Sequence, residues 1–198
     1  MADTDVIDTL VGIEPGSALD AIRRRRPQAR EQTQASYRAL FAPDTPGDVT
    51  ATERFAVAVF VAGLHGDAEI AAFYRSGLAA GGASPALREA IDAAIAAAEG
   101  QGPYGSFPAG PLSREDSPGP THRVAAATRA ALGPRLAAAF DRMHMLVFHP
   151  RDAAPAALQE QLDAGWSTTG IVTLSQIAAF LAFQIRVVAG LRVLAGAL

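Results

Sequence analysis

Apolar positions along this chain recur with the spacing of helices rather than strands. Between Ser17 and Arg26, Leu19 and Ile22 mark an apolar face, and Ser17 with Asp20 three residues on supplies a helix start. This is the first segment that reads as ordered. Pro27 stops or restarts the chain, and a second helix is predicted over Gln28–Phe41, with Tyr37, Leu40 and Phe41 turned inward. Pro43 and Pro46-Gly47 mark a loop. Thr50-Ala51-Thr52-Glu53 is a capping-box pattern ahead of the apolar run Phe55 to Leu64, which no polar residue interrupts before Gly63. A buried helix or a buried strand fits such a run; the preceding cap and the alanine content favour helix.

Further helices are predicted from about Asp67 to Ala80, ended by Gly81-Gly82, and from Ser84-Pro85 onward, with Leu87, Ile91 and Ile95 on one face. Gln101 to Pro120 is a break containing five prolines. An irregular loop of that length inside a compact domain is usually functional or mobile. Beyond it come helices near Thr121–Leu132, Pro134–Phe148 and Pro155–Ala164, the last with Gly165 as its stop. A long final helix is capped by Ser167-Thr168 and runs to about Leu194. The expectation is one all-α domain over residues 1–198, a bundle of about eight helices with no strand. It has an N-terminal helical extension (about 1–45) and a Pro/Gly-rich loop at 101–120.

Composition narrows the chemistry. The chain has 198 residues, enough for a sizeable core; 49% are hydrophobic and 19% charged, which is a globular balance. All 17 basic residues are arginines, and a net charge of −3 argues against a nucleic-acid partner. With no cysteine, disulfides, thiolate metal sites and thiol catalysis are excluded. The acidic start Met1-Ala2-Asp3-Thr4-Asp5 does not resemble a signal peptide. The most apolar stretch, Ile177 to Leu198, contains Gln184, Arg186 and Arg192. A bilayer span needs about 20 apolar residues, so this stretch is expected to be a core helix of a soluble, cytoplasmic protein with no membrane partner.

Two stretches carry a family likeness. Thr50 to Leu78 includes Thr-Ala-Thr-Glu-Arg-Phe-Ala-Val and ends Phe73-Tyr74-Arg75-Ser76-Gly77-Leu78. His149 to Arg186 includes His-Pro-Arg-Asp, Leu162-Asp163-Ala164-Gly165-Trp166-Ser167 and Phe180-Leu181-Ala182-Phe183-Gln184-Ile185-Arg186. Both resemble the carboxymuconolactone decarboxylase (CMD) family, which includes the alkylhydroperoxidase-D-like (AhpD-like) and peroxidase-related proteins. Ser17 to Arg23, with Arg26-Pro27 and Gln34-Ala35-Ser36, is similar to a subfamily of it. The resemblance implies an AhpD-like helical bundle and a homo-oligomer (trimer, hexamer or dimer) with sites near subunit contacts.

Redox members of that family use a Glu, a Cys-x-x-Cys pair and a His four residues beyond it. Laid on this chain, those positions fall on Phe55, Asp67, Ile70 and Tyr74, or in a second register on Glu53, His65, Ala68 and Ala72. Neither register holds a thiol, so a thiol peroxidase mechanism cannot operate. The resemblance therefore leaves acid–base chemistry on a small, carboxylated substrate, or else a non-catalytic oligomeric partner or binder of a small hydrophobic ligand.

The candidate catalytic residues are Glu53, His65, Asp67 and Tyr74. Each has a structural alternative: Glu53 as capping-box partner of Thr50, Asp67 as a helix cap, Tyr74 as a packed ring and His65 as a turn residue. No cofactor and no metal are expected. His144 and His149 stand five apart, where paired helical ligands stand four apart, and no Gly-rich phosphate loop or Gly-x-Ser-x-Gly elbow is present. His122 is expected to be exposed, and Arg23-Arg24-Arg25-Arg26 to form a solvated, salt-bridging face. Arg186 is expected to pair with a carboxylate such as Glu53 or Asp163, because burying it alone would be costly.

Overall fold

The computed structural model describes residues 4–198. Nine α-helices are present among them: α1 (Val6–Val11), α2 (Ala18–Arg24), α3 (Pro27–Phe41), α4 (Ala51–Leu64), α5 (Ala68–Ala80), α6 (Pro85–Ala97), α7 (Ala126–Phe148), α8 (Pro155–Asp163) and α9 (Thr168–Ala195). No strand is present among the described residues, so the chain is an all-α bundle.

Helix α4 is the axis. The Thr50–Glu53 capping box closes its N-terminus, with the Thr50 hydroxyl accepting from the Glu53 amide at 3.2 Å and the Glu53 carboxylate accepting from the Thr50 amide at 2.9 Å. Ala56 to Ala62 are all within 1% of full burial, because α5, α6, α7 and α9 pack around them. The approach is close. A Cβ on Gly77 of α5 would lie 2.2 Å from the Phe55 ring, and one on Gly63 would lie 2.7 Å from Ile95 of α6. Phe60 of α4 stacks on Phe140 of α7 with ring centroids 4.1 Å apart.

Helix α7 breaks where the sequence predicts two helices to meet. Gly133 has φ 78° and ψ 165°, and Pro134 restarts the helix at the position where a missing N–H costs nothing. The first half begins later than predicted, at Ala126. Residues just before it run alongside α7, with the Val124 amide donating to Asp141 at 2.7 Å.

The N-terminal expectation needs correction, because order begins before Ser17. Asp5 caps α1, which buries Val6 and Ile7 against α3, α5 and α9. Asp5, Asp8 and Asp20 pair with Arg23 and Arg30, and Arg24 also pairs with Asp20. Arg23 and Arg24 of the arginine run are thus salt-bridging, and Arg25 and Arg26 are exposed, but the Arg23 side chain is largely buried rather than solvated.

The 101–120 loop holds one short 3-10 turn (Pro111–Glu115) and is tied down at the end of α7. The Tyr104 amide donates to the Phe148 carbonyl at 2.6 Å, and Arg151 lies over the Phe107 ring at 4.1 Å. Helix α9 is long and apolar enough to cross a membrane by length and composition. Its inward side, including the fully buried Gln184, packs on α4 as a core helix.

Candidate functional site

The four candidate residues do not converge. Glu53 and His65 stand at opposite ends of α4, twelve residues and therefore about 18 Å apart along the axis. Glu53 completes the capping box and also accepts from Arg135 Nε at 2.9 Å. Arg135 donates as well to the carbonyls of Gly165 and Asp48 and lies 4.0 Å over the Trp166 ring. Glu53 thus belongs to a clamp that joins the starts of α4 and α9 to α7. Asp67 caps α5 through the Ile70 amide at 2.9 Å and faces Arg192 of α9 at 3.4 Å.

Tyr74 is fully buried, and its hydroxyl donates to Gln184 Oε1 at 2.7 Å. The rings of Phe41, Phe55 and Phe73 surround it at 4.9, 6.4 and 5.2 Å. Burial first, and Tyr37 second, push its phenol well above the ordinary range. A phenol so held stays protonated in a dry aromatic box, which suits packing and not proton transfer.

His65 is different. It is the C-cap of α4, half-buried, and its Nε2 is buried without a hydrogen-bond partner. Burial, and then the neighbouring Arg186 charge, hold its pKa below the usual histidine value, so the ring is neutral at pH 7. It lines a cavity of about 490 Å³ between the end of α4, the second half of α7, α9 and the Gly102-Pro103 segment. The polar lining is His65, Arg142, Ser175 and Arg186, and the remainder is apolar, chiefly Leu146, Val147, Phe148 and alanines of α9.

No carboxylate is present among the described lining residues. Arg142 donates from NH2 to Ser175 Oγ at 3.1 Å, while its Nε is buried without a partner. Burial alone pulls its guanidinium below its ordinary value, and no ion pair among the described residues offsets this. Arg186 does not pair with Glu53 or Asp163, contrary to expectation. It donates to the Ala182 carbonyl at 2.6 Å on its own helix and makes no ion pair among the described residues. The reason is position: Arg186 lies beside His65 at the C-terminal end of α4, whereas Glu53 sits at the other end, paired with Arg135.

Sequence reasoning missed Arg142. Nothing local marks it, since its isolation depends on α9 presenting Ser175 and alanines where a carboxylate could have stood. His122, expected to be exposed, is half-buried with an unpartnered Nε2. Its ring lies 4.9 Å from that of His144, which in turn lies 6.1 Å from His149. No group of metal-ligating side chains able to hold an ion is present among the described residues.

No family model, curated protein or solved structure matches the chain.

Proposed function

We propose that this protein binds a small organic carboxylate in the cavity between α4, α7 and α9. In this reading Arg142 and Arg186 hold the carboxylate and the neutral His65 can accept a proton from the bound molecule. One observation carries the proposal: a concave site with two guanidinium groups, an imidazole with a free ring nitrogen, and no lining carboxylate. Arg142 is half-buried without an ion pair, which costs stability, while Arg186 stands exposed at the rim; an anionic ligand is the partner that repays the first and reaches the second. The apolar lining suits a hydrocarbon or aromatic body behind the charged head, and about 490 Å³ lies within the size range of small-molecule pockets.

The family resemblance supplies the same substrate class, a small carboxylated acid handled without thiols, in a cytoplasmic homo-oligomer. Exposed apolar side chains along α9, such as Phe183 at 46% and Val193 at 77%, support association of copies. A second reading, a non-catalytic binder, is favoured by Glu53, Asp67 and Tyr74 being engaged elsewhere, which leaves His65 without an acid partner.

Calorimetry with benzoate and its uncharged methyl ester tests the binding step. The expected result is saturable benzoate binding that weakens with salt and at least tenfold weaker ester binding. Equal binding of both rejects an anion site. Exchange of substrate-type α-protons in D2O, compared between wild type and His65→Asn, then separates the enzyme from the binder. His65-dependent exchange marks the enzyme.

A further inference from the structure

We infer that the other side of α7 carries a second site, for a small neutral molecule with both a hydrogen-bond donor and an acceptor, of the primary carboxamide or ureide class. A cavity of about 280 Å³ lies there, between α7, α8 and the segment before α7. Five side-chain nitrogen or oxygen atoms are buried without a partner among the described residues, and two of them, His122 Nε2 and Gln161 Oε1, belong to residues that line this cavity only. Buried polar atoms are nearly always satisfied in native proteins, so a pair facing one cavity calls for a shared partner.

Apart from Arg142, the charged groups around it are already matched. Arg123 meets Glu160 through two hydrogen bonds of 2.6 and 2.8 Å, Asp141 accepts from Val124 and Arg129, and Asp152 pairs with His149 at 3.0 Å. Arg142 reaches this lining too, but the carboxylates here are occupied and the unsatisfied acceptor is an amide oxygen.

The orientation of Gln161 decides the ligand class. Its Nε2 donates to the Ala138 carbonyl at 2.9 Å, which fixes the amide orientation and leaves Oε1 as the unsatisfied acceptor of a residue in the lining. Gln161 is 1% exposed, so bulk water does not reach this oxygen freely. The missing partner must therefore give a hydrogen to Gln161. A carboxylate would set oxygen against oxygen there. A carboxamide N–H satisfies Gln161, and the same group can give to or accept from the neutral His122 ring. Met145 and the alanines of α8 provide an apolar floor for a short carbon chain. The size of the cavity limits the occupant to about the lower edge of small-molecule pockets.

The test uses the full chain labelled with 15N-histidine, titrated with propionamide and, separately, with propionate, reading the ring nitrogens by NMR. The expected result is a saturable shift at His122 and His144 with propionamide and at least tenfold weaker binding of propionate at those rings. Gln161→Leu, checked for folding by circular dichroism, is expected to weaken propionamide at least tenfold. His122→Phe, read at His144, is expected to weaken it likewise and serves if the first variant does not fold. Absence of saturation overturns the inference, because waters alone then satisfy the two atoms. So does a ratio below ten for propionate or for the folded variant. The His65 ring reports the first cavity in the same spectra, so failure of one site is read separately from failure of the other.

Discussion

Replacing Arg142 by methionine should make the protein more stable and cost it its ligand. The guanidinium is partly desolvated, its Nε lacks a partner, and no carboxylate among the described residues offsets the charge. A buried unsatisfied donor costs about 1–3 kcal/mol. Methionine has a similar length and fills the same space against Leu146 and the alanines of α9 while removing that cost. Against this stands the hydrogen bond to Ser175 at 3.1 Å, which is worth about 1.5–3 kcal/mol because its donor is charged. Ser175 is not orphaned, since its hydroxyl still donates to the Ile171 carbonyl at 2.8 Å. The two terms overlap, and relief of burial together with the added apolar contact leaves a net gain of about 1 kcal/mol. In a chain of this size that corresponds to a rise in Tm of about 2–4 °C. Urea unfolding followed by circular dichroism measures the gain, and calorimetry with benzoate measures the loss, expected to be at least tenfold. A variant that is less stable than wild type by more than about 1 kcal/mol would refute the reasoning, because the cation would then have a compensating partner in the unliganded protein.

The remaining predictions concern acid, the aromatic box, the clamp and the helix contact. Burial first, and the neighbouring His122 and His149 next, bring the His144 pKa down to about 4. An unfolded histidine titrates near 6.5. As pH falls from about 6.5 to about 4, the unfolded chain gains a proton that folded His144 refuses, and stability drops by about 3 kcal/mol from this group alone. Unfolding free energies across that window in wild type and His144→Leu check this, the variant showing a shallower slope; equal slopes reject it. Tyr74→Phe should cost about 1–3 kcal/mol by leaving Gln184 Oε1 buried without its donor, yet benzoate affinity should not move. Glu53→Ala should lose about 1–2 kcal/mol through the cap and the Arg135 pair, again with benzoate binding intact; a tenfold loss of affinity would return Glu53 to the site. Gly77→Ala should destabilise by about 1–3 kcal/mol, since the new methyl falls on the Phe55 ring, as thermal unfolding would register.

Much of the architecture could be read from local chemistry. Ser17, Thr50, Asp67, Ser84 and Ser167 all cap the helices the sequence assigns to them. Gly165, at φ 91°, follows α8 where a stop was expected. Capping is a contact within four residues, so the sequence shows both partners at once. Helix α1 was missed because six residues give less than two turns of periodicity, and its stability comes from Val6 and Ile7 meeting distant helices.

The site was far less legible for the same physical reason. The surroundings of Arg186 are not legible locally, because only the packing of α9 along α4 sets it beside His65 and away from Glu53, which Arg135 meets from 82 residues on. Asp67 and Tyr74 stand seven residues apart, hence on one helical face, but nothing local shows that Phe41, Phe55 and Phe73 close over the phenol while Arg192 takes the carboxylate. Gln161 and Arg142 become conspicuous only as buried polar atoms without partners, a property that exists in the fold alone.

A crystal structure of the protein with benzoate bound tests the anion site between α4, α7 and α9 directly. The carboxylate is expected within hydrogen-bond distance of Arg142, with Arg186 beside it, the ring against Leu146 and Phe148, and His65 Nε2 facing the ligand. Benzoate seated elsewhere, or this cavity filled by a side chain or by waters alone at saturating benzoate, would contradict it.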